Sequence, residues 1–341
     1  YWSTQRRIDY SNDTAAVEIK GSLNFPTGGV AATGNLDKGY WWGGRYNPNP
    51  LNYLTYVDRI DYSNSTVTAM PPSTTQGNGR AATGNLSYGW WSGAQQTAVS
   101  PYIQSWIYRL DYSNDTAAAS ERGSMTRSVY DHSAAGNSNY GWHVAGQSPS
   151  ASSYVDRIDY SNDTSTASPK GNLGYNSYAG GGTGNQDYGY FVQAPGNTCV
   201  VQRIDYANDT AQSSPKGNIL AEGHSFRSAT SPRINGFGSS TPIAPATRTE
   251  NYPAGFPFGY TSGGIDDSPA TISSVERIDF SSSTLTPLLK GPLPVAKYSH
   301  AGTGNLTHGY HGGGYTSGNS STVDRIDYAN DSPTASPKGN L

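Results

Sequence analysis

RIDYSNDT at residues 7–14 is the first of seven near-copies of one phrase. RIDYSNST follows at Arg59, RLDYSNDT at Arg109, RIDYSNDT at Arg157, RIDYANDT at Arg203, RIDFSSST at Arg277 and RIDYANDS at Arg325. Successive arginines lie 52, 50, 48, 46, 74 and 48 residues apart. A phrase that returns at a near-constant period marks a repeat architecture, in which one supersecondary unit stacks on the next. The unit is about 50 residues, and the 74-residue step places one insertion within Ser225–Gly255.

Around the phrase, the last copy shows the unit most plainly. It reads KYSHAGTG from Lys297, HGYHGGGY from His308, STVDRIDYAND from Ser321 and SPTASPKGNL to Leu341. Four β-like runs are expected: near Ser299–Thr303, Gly309–Gly313, Val323–Tyr328 and Thr334–Pro337. Gly304-Asn305, Ala329-Asn330-Asp331 and Gly339-Asn340 punctuate them as turns. The first run recurs as AATGN at Ala31 and Ala81, SAAGN at Ser133 and GGTGN at Gly181. The second recurs as GYWWGG at Gly39, GWWSGA at Gly89, GWHVAG at Gly141, GYFVQA at Gly189 and GYTSGG at Gly259. Paired glycines at its end suit close backbone approach.

Gly or Pro interrupts every window long enough for an amphipathic helix, so the chain is expected to be nearly helix-free. Four antiparallel strands per unit of about 50 residues describe a propeller blade, whereas a parallel β-helix repeats with a much shorter period. Seven third-strand phrases then imply a seven-bladed all-β propeller forming a single domain over 1–341. Its approximate blades are 1–24 (partial), 25–76, 77–125, 126–174, 175–221, 222–291 with the insertion near 225–255, and 292–341. The partial blade holds only third and fourth strands. Its first two are expected from residues before Tyr1 or after Leu341.

The chain has 341 residues, 41 Gly, 21 Pro, 26 Tyr and 7 Trp, too many aromatics for disorder despite the turn residues. Only 14% of residues are charged and the formal net charge is −3, without the basic footprint of a nucleic-acid binder. No stretch approaches the ~18 apolar residues of a membrane helix, and no signal-like apolar segment opens the chain. The one cysteine, Cys199, excludes an internal disulfide.

The second strand with its double glycine, the variable loop and the Val-Asp-Arg-Ile-Asp-Tyr strand resemble the kelch-type repeat. Ser-Pro-Lys-Gly stands where that repeat has a fourth-strand Trp. The unit GYxGGG, STVDRIDYANDT, ASPKGNL also resembles repeat proteins of marine cyanobacterial phages and their hosts. That resemblance implies a virion or tail-associated structural component, or a cell-surface one, with other virion or surface proteins as partners.

Along the phrase, side chains alternate, so Val323, Arg325 and Asp327 share one face and Asp324, Ile326 and Tyr328 the other. The Arg and Asp two apart are expected to form structural ion pairs within an inter-blade ladder: Arg7 with Asp9, Arg59 with Asp61, Arg109 with Asp111, Arg157 with Asp159, Arg203 with Asp205, Arg277 with Asp279 and Arg325 with Asp327. The Asn-Asp-Thr turns lack the oxygen spacing of a calcium loop and suit Asx and Ser/Thr turns. His300, His308 and His311 fall in one unit, but a zinc site needs three or four convergent ligands, and no metal or other cofactor is expected. Neither a nucleophile elbow nor a phosphate loop appears in suitable context, so the chain is expected not to be an enzyme. Of the alternatives, a kelch-type copper oxidase ranks below a glycan-binding, lectin-like propeller.

Function on a repeat scaffold concentrates where the repeat breaks. The loops between second and third strands vary most: Arg45–Tyr56, Gln95–Trp106 and Gln147–Tyr154. Tyr46, Tyr53, Tyr56, Tyr102, Trp106 and Tyr154 are the candidate contacts for a partner protein, receptor or host-surface glycan. Arg227, Arg233 and Arg248 in the insertion are the charged candidates.

Overall fold

The computed structural model describes residues 2–7, 18–27, 30–35, 37–46, 52–64, 66–72, 75–96, 102–178, 180–192, 200–218, 228–230, 258–265, 270–279, 288–298, 300–304 and 307–340. The only helical segments among them are two single 3₁₀ turns, Tyr112–Asn114 and Tyr206–Asn208. By its internal contacts the chain divides into two compact units. One comprises Tyr1–Asp9, Val17–Ala179 and Asn208–Ser213, the other Tyr10–Ala16, Gly180–Ala207 and Ser214–Leu341.

The first unit holds three four-stranded antiparallel meanders. Blade I is Ala31–Gly34, Lys38–Trp42, Val57–Asp61 and Val67–Ala69. Blade II is Ala81–Gly84, Tyr88–Gln95, Ile103–Asp111 and Ser120–Ser124, and blade III is Ser133–Gly136, Tyr140–Val144, Val155–Asp159 and Ser168–Pro169. The second unit holds three more. Blade IV is Gly181–Gly184, Tyr188–Val192, Val200–Asp205 and Ser214–Asn218. Blade V is Ser228–Thr230, Phe258–Ile265, Thr271–Asp279 and Leu288–Lys290, and blade VI is Ala301–Gly304, His308–Gly312, Thr322–Asp327 and Ser336–Asn340.

Among the described residues the blade count is therefore six, not the seven implied by seven phrases. Counting phrases counts third strands. The copy at Arg7 ends the strand Trp2–Arg7, which pairs with Glu18–Thr27 in a two-stranded sheet and with no other strand among the described residues. Glu18–Thr27 lies against the outer strand of blade I, Val67–Ala69. The fourth strand of blade VI also starts later than its composition suggests, at Ser336. The preceding residues bond to blade V instead: Gly291 N–H donates to Asp331 O at 2.9 Å and Ala335 N–H to Pro292 O at 2.8 Å.

Several letters of the phrase have a structural reason. Its Ile or Leu is buried, as at Ile60, Leu110, Ile158, Ile204, Ile278 and Ile326. Its Tyr stacks on the second-strand aromatic of the preceding blade. Tyr112 lies on Tyr40 with ring centroids 4.9 Å apart, Tyr160 on Trp90 at 3.9 Å and Tyr328 on Tyr260 at 5.0 Å, all nearly parallel. Such pairs add about 0.5–1.5 kcal/mol beyond the area they bury. The first Asp of the phrase closes its own turn: Asp111 Oδ1 accepts from Ser113 N–H at 2.9 Å and Ser113 Oγ at 2.6 Å, and Asp61 and Asp159 do the same. Those bonds hold the Asp111 carboxyl below the usual carboxylate range.

The glycine pairs ending the second strands have left-handed backbones. Gly43 and Gly44 have φ of 74° and 92°, and Gly313 and Gly314 of 74° and 94°. A Cβ on Gly314 would sit 2.7 Å from Tyr298 O. Gly314→Ala is therefore expected to lose about 2 kcal/mol or more in urea unfolding, whereas Gly318→Ala, where a Cβ meets nothing within 4 Å, should stay near wild type.

Candidate functional site

The phrase arginines do form ion pairs that bridge successive copies, but with a different carboxylate from the one expected. Arg59 Nη1 donates to Asp115 at 2.8 Å, Arg109 to Asp163 at 3.0 Å, Arg157 to Asp209 at 2.9 Å and Arg277 to Asp331 at 2.8 Å. The partner is the seventh letter of the next copy, 52 to 56 residues away. Asp61, Asp111 and Asp159, two residues from their arginines, are taken by their own turns. Placing both side chains on one strand face brings them near each other, yet the turn amide wins the carboxylate. The side chains of Arg7 and Asp9 and the Asp279 carboxylate lie outside the described residues.

Each bridging carboxylate collects three donors. Asp163, only 3% exposed, accepts from Trp90 Nε1 at 2.8 Å, Arg109 Nη1 and Arg122 Nε at 2.8 Å. Asp115 is met by Lys38, Tyr40 and Arg59, Asp209 by Trp142, Arg157 and Lys170, and Asp331 by Tyr260, Arg277 and Lys290. Burial alone would raise the Asp115 carboxyl. The hydrogen bonds from Lys38, Tyr40 and Arg59, with the Arg59 charge, hold it below its ordinary value instead. Asp331 is depressed against its burial in the same way, by Lys290, Tyr260 and Arg277. The arginines also lie over first-position rings of the second strand, Arg109 over Tyr88 at 4.5 Å and Arg157 over Tyr140 at 4.3 Å. The charges of Arg59, Arg109, Arg157 and Arg277 and of their bridging carboxylates are thus consumed in the scaffold.

A further buried set went unread in the sequence: the acidic residue just before the phrase. Asp156 accepts from Thr126 N–H and Oγ1, and Asp324 pairs with Lys297, fully buried, at 2.6 Å. The sequence signal was available, because the residue two before the phrase's Ile belongs to a strand covered on both faces.

The histidines divide. His300 Nε2 and His311 Nδ1 each lie 2.8 Å from Ser262 Oγ, whereas His308 contacts Thr307. The first unit repeats the cluster: Ser92 Oγ is 2.9 Å from His132 Nε2 and 2.8 Å from His143 Nδ1. Among the described residues no group of three or more His, Cys, Asp or Glu side chains is placed to hold a metal. Burial pulls His132 and His311 down to about 3, with Arg80 facing the first and His300 and Lys297 facing the second. Cys199 lies outside the described residues.

The candidate contact residues fall mostly in the first unit. Tyr56, Trp106 and Tyr154 each stand three residues before a phrase arginine; Tyr56 and Tyr154 directly precede the third strands of blades I and III, whereas Trp106 lies within the longer third strand of blade II, Ile103–Asp111. Tyr56 and Tyr154 are 37% and 41% exposed, the latter with Arg127 over its ring. Trp106 instead packs edge-on to Tyr108 against the core. Tyr102, in the same loop, is 60% exposed. Tyr46 and Tyr53 lie on a small hairpin, Arg45–Tyr46 against Asn52–Tyr53, their side chains outside the described residues. Arg227, Arg233 and Arg248 also lie outside them. The insertion falls between the first and second strands of blade V, at 231–257. Arg227 immediately precedes the first strand, a position held by buried Arg80, His132 and His300 in other blades.

Six four-stranded antiparallel blades, nearly free of helix, define a β-propeller. Among 544 matching solved chains, a structure titled "Structure of YjhT" has a TM-score of 0.62 at 10% identity, covering 84% of this chain and 97% of that one. At that identity the likeness is one of fold. No protein-family model matches the sequence, and no curated protein matches it.

Proposed function

We propose that the chain is a non-catalytic scaffold, a kelch-like propeller of a virion, tail-associated or cell-surface assembly. Its second-to-third-strand loops contact a partner protein. The observation carrying this reading is the exposure of Tyr56, Tyr102 and Tyr154 on corresponding loops of blades I to III, while the repeated charges bond to one another. Exposed tyrosines supply large contact area at low conformational cost.

A host-surface glycan is the second reading, favoured by the low charge content of 14%. Tyr56, Tyr102 and Tyr154 replaced together by Ser is the test. Binding of the purified protein to intact cells of the source and to a glycan array is measured, with the thermal midpoint as fold control. Loss of about tenfold or more in affinity with an unchanged midpoint supports the loops, since truncating interface aromatics costs ~2 kcal/mol. Competition by free sugars would select the glycan reading. Equal binding by the variant, or stoichiometric copper with oxidase activity in the wild type, would sink the proposal.

A further inference from the structure

Blade VI departs from blade III at one buried carboxylate. Asp156 and Asp324 hold the same place, one residue before the phrase arginine. Asp156 takes its bonds from Thr126, whose N–H donates to Oδ2 at 3.0 Å and whose Oγ1 donates to Oδ1 at 2.7 Å. The segment that supplies Thr126 returns ahead of blade VI with the same backbone bonds. Met125 and Leu293 N–H donate to the carbonyls of Ser105 and Ser273, and Val129 and Lys297 N–H to those of Gln104 and Ile272. Pro294 therefore stands where Thr126 stands, with neither an N–H nor a hydroxyl to give. Lys297 stands where Val129 stands.

The exchange sets an amine against the carboxyl group. Lys297 is fully buried, Asp324 is 2% exposed, and Nζ lies 2.6 Å from Oδ2. The approach is out of line for a hydrogen bond, and Oδ2 accepts none. Nζ instead donates to Thr322 Oγ1 at 2.9 Å. Across the strand, His311 is the register partner of Asp324, and its buried Nε2 has no hydrogen-bond partner. Burial, with the His300 and Lys297 charges, pulls His311 down to about 3, so it brings no competing charge to the pair. A lysine is almost never buried this completely unless paired. Keeping two ions out of water carries a desolvation cost that a neutral product escapes.

From this contact we propose that Lys297 and Asp324 condense into an intramolecular isopeptide bond, a covalent clamp on blade VI. The ammonium passes one proton to the carboxylate, and the neutral amine adds to the carboxyl carbon. A carbon–oxygen bond then breaks as the new carbon–nitrogen bond is kept. Of the three ammonium protons one stays on the amide nitrogen, and two leave with the carboxyl oxygen as water. No oxidant, reductant or cofactor takes part. The product buries a neutral amide in place of two charges. It also closes a loop holding the first two strands of the blade, Ala301–Gly304 and His308–Gly312, and so restricts the unfolded chain as other crosslinks do.

Intact-mass measurement of the purified wild-type chain, folded first and then denatured, reads the bond directly. The expected mass lies below that of the sequence by one water molecule. Tryptic digestion is expected to leave the bond after Lys297 uncut and to yield a branched fragment joining the peptides that carry Lys297 and Asp324. Fragmentation of that species separates the link from a cyclic imide at a lone aspartate, which also loses water but joins no second peptide. Lys297→Arg and Asp324→Ala should each restore the full sequence mass and lower the thermal midpoint. The wild-type reading stands whether or not these variants fold. The proposal is overturned, and the two residues are an ion pair alone, if the wild-type mass equals that of the sequence. It is equally overturned if the missing water maps to another position or persists in both variants.

Discussion

Asp163→Ala is expected to destabilise the protein by about 3–5 kcal/mol, the range for removing one partner of a buried ion pair. The carboxylate is nearly fully buried and receives the Trp90 indole and the Arg109 and Arg122 guanidiniums. Without it two cations face one another and an indole N–H loses its acceptor. Asp163→Asn preserves shape but not charge and should recover only a minor part of the loss. The contrast lies four residues earlier in the same kind of phrase. Asp111→Ala removes only an exposed turn acceptor and should cost about 1 kcal/mol. Urea denaturation of the three variants decides between the pairings. A large loss at Asp111 with a small one at Asp163 would restore the same-strand pairing of Arg109.

Acid should destabilise the fold well above the pH at which carboxylates protonate. His132 and His311 titrate near 3 in the folded state against 6.5 in the unfolded chain, and His143 is also held well below 6.5. Above pH 6.5 both states are neutral at these groups and the histidines add no pH dependence. Below it the unfolded chain takes up protons that the folded one refuses, so stability falls as pH drops toward 3. Each of the two could contribute up to about 4 kcal/mol by then. The depressed Asp115 and Asp331 contribute separately: their stabilisation is present above about 3.8 and is lost as pH falls below it. His143→Phe with His311→Phe places in both blades the residue that blade IV carries at Phe191 in the same position. Unfolding midpoints measured from pH 7.5 to 4.5 should fall steeply for wild type and less for the double variant. Parallel curves would rule out the histidines as the cause.

Much of the blade was legible. The strand runs, the scarcity of helix and the Asx turns follow from period-2 patterning and turn chemistry, which act within a few residues. Blade number was less legible, because the copy at Arg7 repeats the words of a third strand but pairs, among the described residues, with Glu18–Thr27 alone. The ladder was half legible. That Arg59, Arg109 and Arg157 would serve packing followed from their repetition, but their acceptors did not. Asp61 and Asp115 are equally plausible by letter, and only the crossing from one copy to the next selects the second. The His–Ser–His clusters were missed because Ser92 and Ser262 stand in one copy and their histidines in the next. Trp106 looked like its equivalents Tyr56 and Tyr154, and packing against Tyr108 alone distinguishes it.

The phrase RIDYSNDT, by itself, determined the period, the all-β character and the position of the insertion, because those depend on local backbone preference and spacing. Which Asp neutralises which Arg, which histidines are held neutral, which aromatics remain in solvent and how many blades are complete were decided by tertiary structure. Those properties arise between copies some 50 residues apart, where burial and a three-donor geometry outweigh proximity along the strand.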